Sequence, residues 1–156
     1  MRVVSFVLLI GVACASPARA QTPTGTWEVG LGPHIVLREN FTTHNGGGIT
    51  VARRFQRLAA VFEANGTRRE GHNDWRLVGG PRFTLGTTAR SAFFAQVLAG
   101  TLIRSRAADW AVLPGIGADV RWADWSTIRF QIDAPIERSD SRTAESGRAS
   151  VFLIFH

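Results

Sequence analysis

The sequence predicts an all-β fold, an eight-stranded antiparallel up-and-down transmembrane β-barrel, and three observations predict it. After residue 20 apolar residues recur with period two, and no segment carries them at i, i+3, i+4 and i+7 over three turns. The alternating stretches are long. Most run about nine to fourteen residues, against about 9–11 for a tilted strand that crosses a bilayer and about 5–6 for the usual soluble strand. Their polar face consists of glycines and small residues broken by single charges, which suits a narrow bore better than a solvated surface.

The strands are expected at 25–32, 47–56, 58–66, 75–86, 91–104, 109–122, 125–135 and 148–156. In the first, Trp27, Val29 and Leu31 oppose Glu28, Gly30 and Gly32; in the second, Ile49, Val51 and Phe55 oppose Gly48, Thr50, Ala52, Arg54 and Gln56. The third sets Leu58, Ala60, Phe62 and Ala64 against Glu63 and Asn65, and the fourth sets Trp75, Leu77, Phe83 and Leu85 against Gly80, Arg82 and Thr84. In the sixth, Trp110, Val112, Ile116, Val120 and Trp122 oppose Gly115, Gly117, Asp119 and Arg121; in the seventh, Ile128, Phe130 and Ile132 oppose Arg129, Gln131 and Asp133. The fifth and last strands are apolar on both faces, and their phase rests on Gln96 and Gly100 in one and Ser150 in the other. Pro81 and Pro114 fall inside strands, where a missing ladder donor is tolerated at bulges or edges.

The connections alternate in length. Phe55 to Leu58, Gly86 to Arg90 and Trp122 to Trp125 read as tight turns, with longer polar links at Pro33 to Gly46, Thr67 to Asp74 and Ile136 to Gly147 and a short one at Ser105 to Ala108. Short turns at one end and longer loops at the other is the asymmetry of outer-membrane barrels.

Which face points inward follows from the cost of each choice. An arginine facing lipid at the midplane costs about 2–4 kcal/mol. In a bore it needs a carboxylate partner, and here Glu28, Glu63, Asp119 and Asp133 balance Arg54, Arg82, Arg121 and Arg129. These eight are the expected lumen charge network. Trp27, Phe55, Trp75, Trp110 and Trp122 are expected to form two aromatic belts about one strand apart, and Arg53, on the lipid side beside a turn, can snorkel to headgroups.

Residues 1–20 are expected to be an export signal, with Arg2 as its positive start, Val3 to Ala13 as an apolar run too short to span a membrane, and Ala18-Arg19-Ala20 as the cleavage site. That leaves 21–156 as the barrel domain. Cys14, the only cysteine, falls in the signal. All 18 basic residues are arginine, spread singly and on no basic helix, which speaks against nucleic acid and is compatible with anionic lipid headgroups. His34, His44 and His72 are expected in loops, without metal-ligand spacing, and Gly46-Gly47-Gly48 is followed by no phosphate-binding helix.

The segments GGGITVARRFQRLAAVFE, LVGGPRFTL, FFAQVLAGTL and LPGIGADVRW resemble, in order and spacing, the small bacterial outer-membrane β-barrel proteins related to the transmembrane domain of outer-membrane protein A, a porin-family-like group. The most telling pieces are Gly80-Pro81-Arg82-Phe83 and Gly117-Ala118-Asp119-Val120-Arg121. The resemblance implies a closed barrel with a plugged or very narrow lumen, inserted in the outer membrane by the barrel-assembly machinery, with outer-membrane lipids as its surroundings. It supplies no catalytic residue, cofactor or metal. The His-x-Ser-Asn piece of barrel enzymes that deacylate lipid A is missing from the sequence, so a non-enzymatic monomer is expected, acting in envelope integrity or in surface binding through its outer loops. The alternative is a secreted, soluble lipocalin-like barrel around a small apolar ligand, which requires an apolar interior and a charged exterior.

Overall fold

Each alternating stretch forms a strand in the computed structural model, which describes residues 25–38, 42–69, 72–104, 107–137 and 145–156. The expected export signal, residues 1–20, lies outside the described residues. The strands are β1 (Thr26–Arg38), β2 (Thr43–Phe55), β3 (Leu58–Arg69), β4 (His72–Thr87), β5 (Ser91–Arg104), β6 (Ala107–Ala123), β7 (Ser126–Asp133), β8 (Ile136–Glu137) and β9 (Glu145–Phe155). From β1 to β7 each pairs antiparallel with the next in the chain, β7 pairs with β9 and β9 with β1, so the sheet closes on itself. Ala134 and Pro135 interrupt the seventh stave, which resumes as β8 against β6 at Ala111 and Val112. The result is an eight-stranded, all-antiparallel barrel.

Both strand prolines sit where the ladder is already broken. Pro81 pairs with Ala60 on β3, while the β4–β5 register skips Gly80 and Pro81. Pro114 pairs with Val97 on β5, and on its other side its carbonyl accepts the Ala134 amide at 2.9 Å across the β7–β8 interruption.

One end carries the turns 56–57, 88–90 and 124–125, together with Thr26 and Phe155. Toward the other end the strands run past the expected limits: β1 continues to Arg38, β2 begins at Thr43, β3 reaches Arg69, β4 begins at His72 and β9 begins at Glu145. Pro33 and the Gly46–Gly48 run hide strand character there, because neither contributes an alternating side chain. Yet Pro33 pairs with Gly47 and His34 with Gly46. The three histidines expected in loops therefore lie in strands, His34 in β1, His44 in β2 and His72 in β4.

The interior has two sectors. An aliphatic one joins Ala52, Ala59, Val61, Val78, Leu98, Leu102, Ala111 and Leu113 from β2 to β6. The other is ionic, and its charges come from β2, β3, β4 and β6 as well as from β1, β7 and β9. Phe94, Gln96, Leu98 and Leu102 point inward from β5, and Arg148, Ser150, Phe152 and Ile154 from β9, which fixes the phase of the two strands that are apolar on both faces.

Glycine makes room in this bore. A Cβ at Gly117 would collide with the Phe94 ring and with the Phe130 carbonyl on the neighbouring strand. Backbone has to move to accept it, so Gly117→Ala is expected to cost about 1–3 kcal/mol, as overpacking does, read as a shifted midpoint in urea unfolding.

Candidate functional site

Alternation along the staves delivers charged side chains to the bore, and eight of them form one connected array. Glu28 comes from β1, Arg54 from β2, Glu63 from β3, Arg82 from β4, Asp119 from β6, Arg129 and Asp133 from β7, and Arg148 from β9. All are buried except Arg54, whose side chain is 29% exposed toward the turn end. Four carboxylates thus meet four guanidinium groups.

They form two clusters. In the one nearer the turns, Arg129 donates through Nε to Asp119 Oδ1 at 2.6 Å and through Nη2 to Asp119 Oδ2 at 2.9 Å and Glu28 Oε2 at 3.0 Å. Arg54 Nη2 closes it, 2.6 Å from Glu28 Oε1 and 3.4 Å from Asp119 Oδ2. In the second, Arg148 Nη2 reaches Glu63 Oε2 at 2.9 Å and Asp133 Oδ2 at 2.6 Å, and its Nε donates to Asp133 Oδ2 at 2.9 Å. Gln131 Nε2 donates to Glu63 at 3.1 Å and Asp133 at 3.0 Å, and Gln96 Nε2 to Asp133 at 3.2 Å. Arg82 spans the clusters: Nε donates to Gln96 Oε1 at 3.0 Å, Nη1 lies 3.7 Å from Glu28, and Nη2 lies 4.0 Å from Glu63. The Phe94 ring supports both cations, with Arg82 at 4.7 Å and Arg129 at 5.2 Å from its centroid.

Of the eight charges singled out from sequence, Glu28, Arg54, Glu63, Arg82, Asp119, Arg129 and Asp133 lie in this array. Arg121 does not. It keeps the inward parity of Asp119 and pairs with Thr127, but it is exposed at the turn-end mouth, two residues nearer the rim. Arg148 takes the fourth cationic place. Its signal was present in the sequence, since it stands two residues before Ser150 and so shares that residue's face, but it fell at the edge of an apolar stretch. Gln96 and Gln131 were legible as inward residues, though not as the amides that bridge carboxylates.

The chemistry open to this array is restraint. The carboxylates of both clusters accept from guanidinium or amide donors, which is what a buried ionic network needs in order not to destabilise a fold. Farther toward the loop end, His34 Nε2 and Thr67 Oγ1 share a hydrogen bond of 2.9 Å, and Arg104 lies 3.9 Å from Asp74 and 3.7 Å from Asp109. Among the described residues no group of three or more His, Cys, Asp or Glu side chains is arranged to hold a metal ion.

Outside, the wall is apolar on every long stave. Val29, Leu31, Ile49, Phe62, Leu77, Phe83, Val97, Ile116, Phe130, Ile132, Val151 and Leu153 are all exposed there. Exposed Trp75 and Trp110 mark the loop-end side, and Trp27, Trp122 and Trp125 mark the turn end, with Phe55 half-buried among them. Trp125 stacks on Phe155 with centroids 5.8 Å apart, and Arg53 lies over Trp27 and Phe55 at 5.5 and 5.2 Å. Trp110 and Trp122 are twelve residues apart on one face of β6. That is about 40 Å along a strand, or about 30 Å of height at the usual barrel tilt, close to the about 25 Å apolar band of such barrels.

An apolar wall, an ionic bore and an aromatic girdle toward each end define a β-barrel of the transmembrane class. No protein-family model matches the chain, and no curated protein matches it. Solved structures share its fold. Neisserial surface protein A (NspA) is similar with a TM-score of 0.68 over 83% of this chain and 94% of that one, at 6% identity. Ail, the attachment invasion locus protein of Yersinia pestis, solved with the heparin analogue sucrose octasulfate, is similar with a TM-score of 0.57 over 84% and 97%, at 14% identity. A de novo designed transmembrane β-barrel gives a TM-score of 0.51 over 86% and 97%, at 12% identity. At these identities the likeness is one of fold: the small outer-membrane barrel.

Proposed function

We propose that the chain is a non-enzymatic, monomeric protein of the bacterial outer membrane, exported by residues 1–20 and inserted by the barrel-assembly machinery, with a lumen plugged by its ion pairs. Its strands anchor it, and its role is envelope integrity or binding at the cell surface through the outer links. The observation that carries this reading is the exposed apolar wall, from Trp27, 59% exposed, round to Leu153, 36% exposed. Soluble monomers rarely expose contiguous apolar patches beyond a few hundred Å². A surface role draws support from fold neighbours described as a surface protein and an attachment invasion locus protein. The lipocalin-like alternative needs the opposite phase, and Arg82, Asp119 and Arg129 are buried while Ile116, Phe130 and Ile132 are exposed.

Fractionation of expressing cells, followed by a gel that compares boiled with unboiled sample, tests the reading. The protein is expected in outer membranes with two bands of different mobility, and planar-bilayer recordings are expected to lack stepwise conductance. A soluble, detergent-free periplasmic protein contradicts the membrane assignment. Steady ion steps contradict the plug.

A further inference from the structure

The two ends of the barrel differ in what their arginines do, and the turn end has cations to spare. Among the described residues there, Arg53, Arg57, Arg90 and Arg121 are exposed, against Asp124 as the exposed acid; Glu28 and Asp119 are buried in the bore network. Arg90 and Arg121 are neighbours, since the Arg121 amide donates to the Arg90 carbonyl at 2.9 Å. Both line a polar basin of about 450 Å³ in the turn-end mouth, with Arg54, the hydroxyl residues Thr88, Ser91 and Thr127, and the acids Asp119 and Asp124.

An apolar groove of about 660 Å³ starts on the other side of the same rim, with Leu85, Phe93, Ala118, Phe130 and Val151 among its lining. Pairing orders these residues across the wall: Phe93 opposite Ala118, Ala118 opposite Phe130, and Phe130 opposite Val151. Groove and basin back on to each other through consecutive residues of opposite face, Ala92 with Phe93 on β5 and Ala118 with Asp119 on β6, and they communicate over the rim. A depression floored by the small Ala118 and walled by Phe93 and Phe130 thus begins three residues along β5 and β6 from Arg90 and Arg121, whose backbones are hydrogen-bonded.

We propose that this rim is a binding site for an anionic phospholipid of the leaflet at the turn end, its acyl chain in the wall groove and its phosphate at Arg90 and Arg121. The occupant follows from charge complementarity and from position. The groove opens where the wall meets acyl chains, and the two exposed arginines stand on the rim beside it, each basic residue near an anionic surface favouring binding by about fivefold. Arg121 has thereby a role that the bore network does not give it. The inference rests on the membrane reading above.

The test uses the folded full-length barrel, with Trp27, Trp75 and Trp110 changed to phenylalanine so that Trp122 and Trp125 report, in vesicles of phosphatidylcholine mixed with brominated phosphatidylglycerol or brominated phosphatidylcholine. Quenching is expected to show a several-fold preference for the anionic lipid, and R90S/R121S is expected to lose it while keeping its heat-modifiable band. R57S, on the next turn, is expected to keep the preference and shows that loss is not a general charge effect. Equal quenching by both brominated lipids overturns the site but leaves the barrel inserted, and so does a preference that survives in R90S/R121S. No quenching by either lipid overturns the membrane reading itself, and the site with it.

Discussion

Replacing Arg148 by leucine is expected to destabilise the barrel by about 3–5 kcal/mol, the scale for removing one partner of a buried ion pair. The Arg148 side chain is fully buried, as are those of Glu63 and Asp133, which it joins at 2.9 and 2.6 Å. Leucine fills part of the volume and leaves both carboxylates on amide donors, Gln131 for both, Gln96 for Asp133 and Asn65 at 3.4 Å for Glu63, with Arg82 no nearer to Glu63 than 4.0 Å. The loss comes from the stranded charges, so a second change that removes one should return part of it. Arg148→Leu with Asp133→Leu is expected to be more stable than Arg148→Leu alone, a coupling that double-mutant analysis of urea unfolding in lipid vesicles reads directly. Strictly additive losses would mean that the pair does not interact as the geometry says.

The second large effect lies on the opposite side of the wall. Ile116 stands midway between Trp110 and Trp122 on the outer face of β6 and is 62% exposed, while Trp122 is 74% exposed. For a barrel in water, arginine at either position would be a surface substitution, within about 0.5 kcal/mol of neutral. In a bilayer the two positions differ in depth. Ile116→Arg is expected to cost about 2–4 kcal/mol and Trp122→Arg about 0–1 kcal/mol from burial depth, with some further loss of the ring's own interfacial contribution. The same unfolding titration checks both, and equal small effects would place the wall in water.

Much of this was legible in the amino-acid order because alternation is a local signal. Glu63 between Phe62 and Ala64, or Arg129 between Ile128 and Phe130, declares its face without reference to any other strand, and once one face is lipid-directed the parity of a whole stave is set. What failed to show depended on relations between strands. Arg148 reads as bore-facing only when Ser150 and Phe152 are known to point inward, and β9 offers apolar residues to both sides. Arg121 shares its parity with Asp119 and stays in register with Thr127, yet it stands at the open mouth, and where the bore opens depends on how far the neighbouring staves reach. The loop-end extensions stayed hidden for a different reason. Gly46 has no side chain to alternate, and its strand role is to leave space that the His34 ring fills. The separation of the interior into an aliphatic cluster and an ionic network likewise depends on contacts between staves, and no single stretch announces it.

The central claim is that one parity of each stave meets lipid while the other is sealed in the bore, and β7 tests it most directly because its faces are cleanly divided. Phe130 and Ile132 are 49% and 63% exposed, and Gln131 between them is buried. With Cys14 the only native cysteine, a chain lacking residues 1–20 accepts single cysteines for nitroxide labelling without interference. In vesicles, labels at Phe130 and Ile132 are predicted to collide readily with oxygen and to be shielded from a water-soluble nickel chelate, while a label at Gln131 is predicted to be immobile and reached poorly by both. Free access of the chelate to Phe130 and Ile132, with oxygen showing no preference for them over Gln131, would contradict the account.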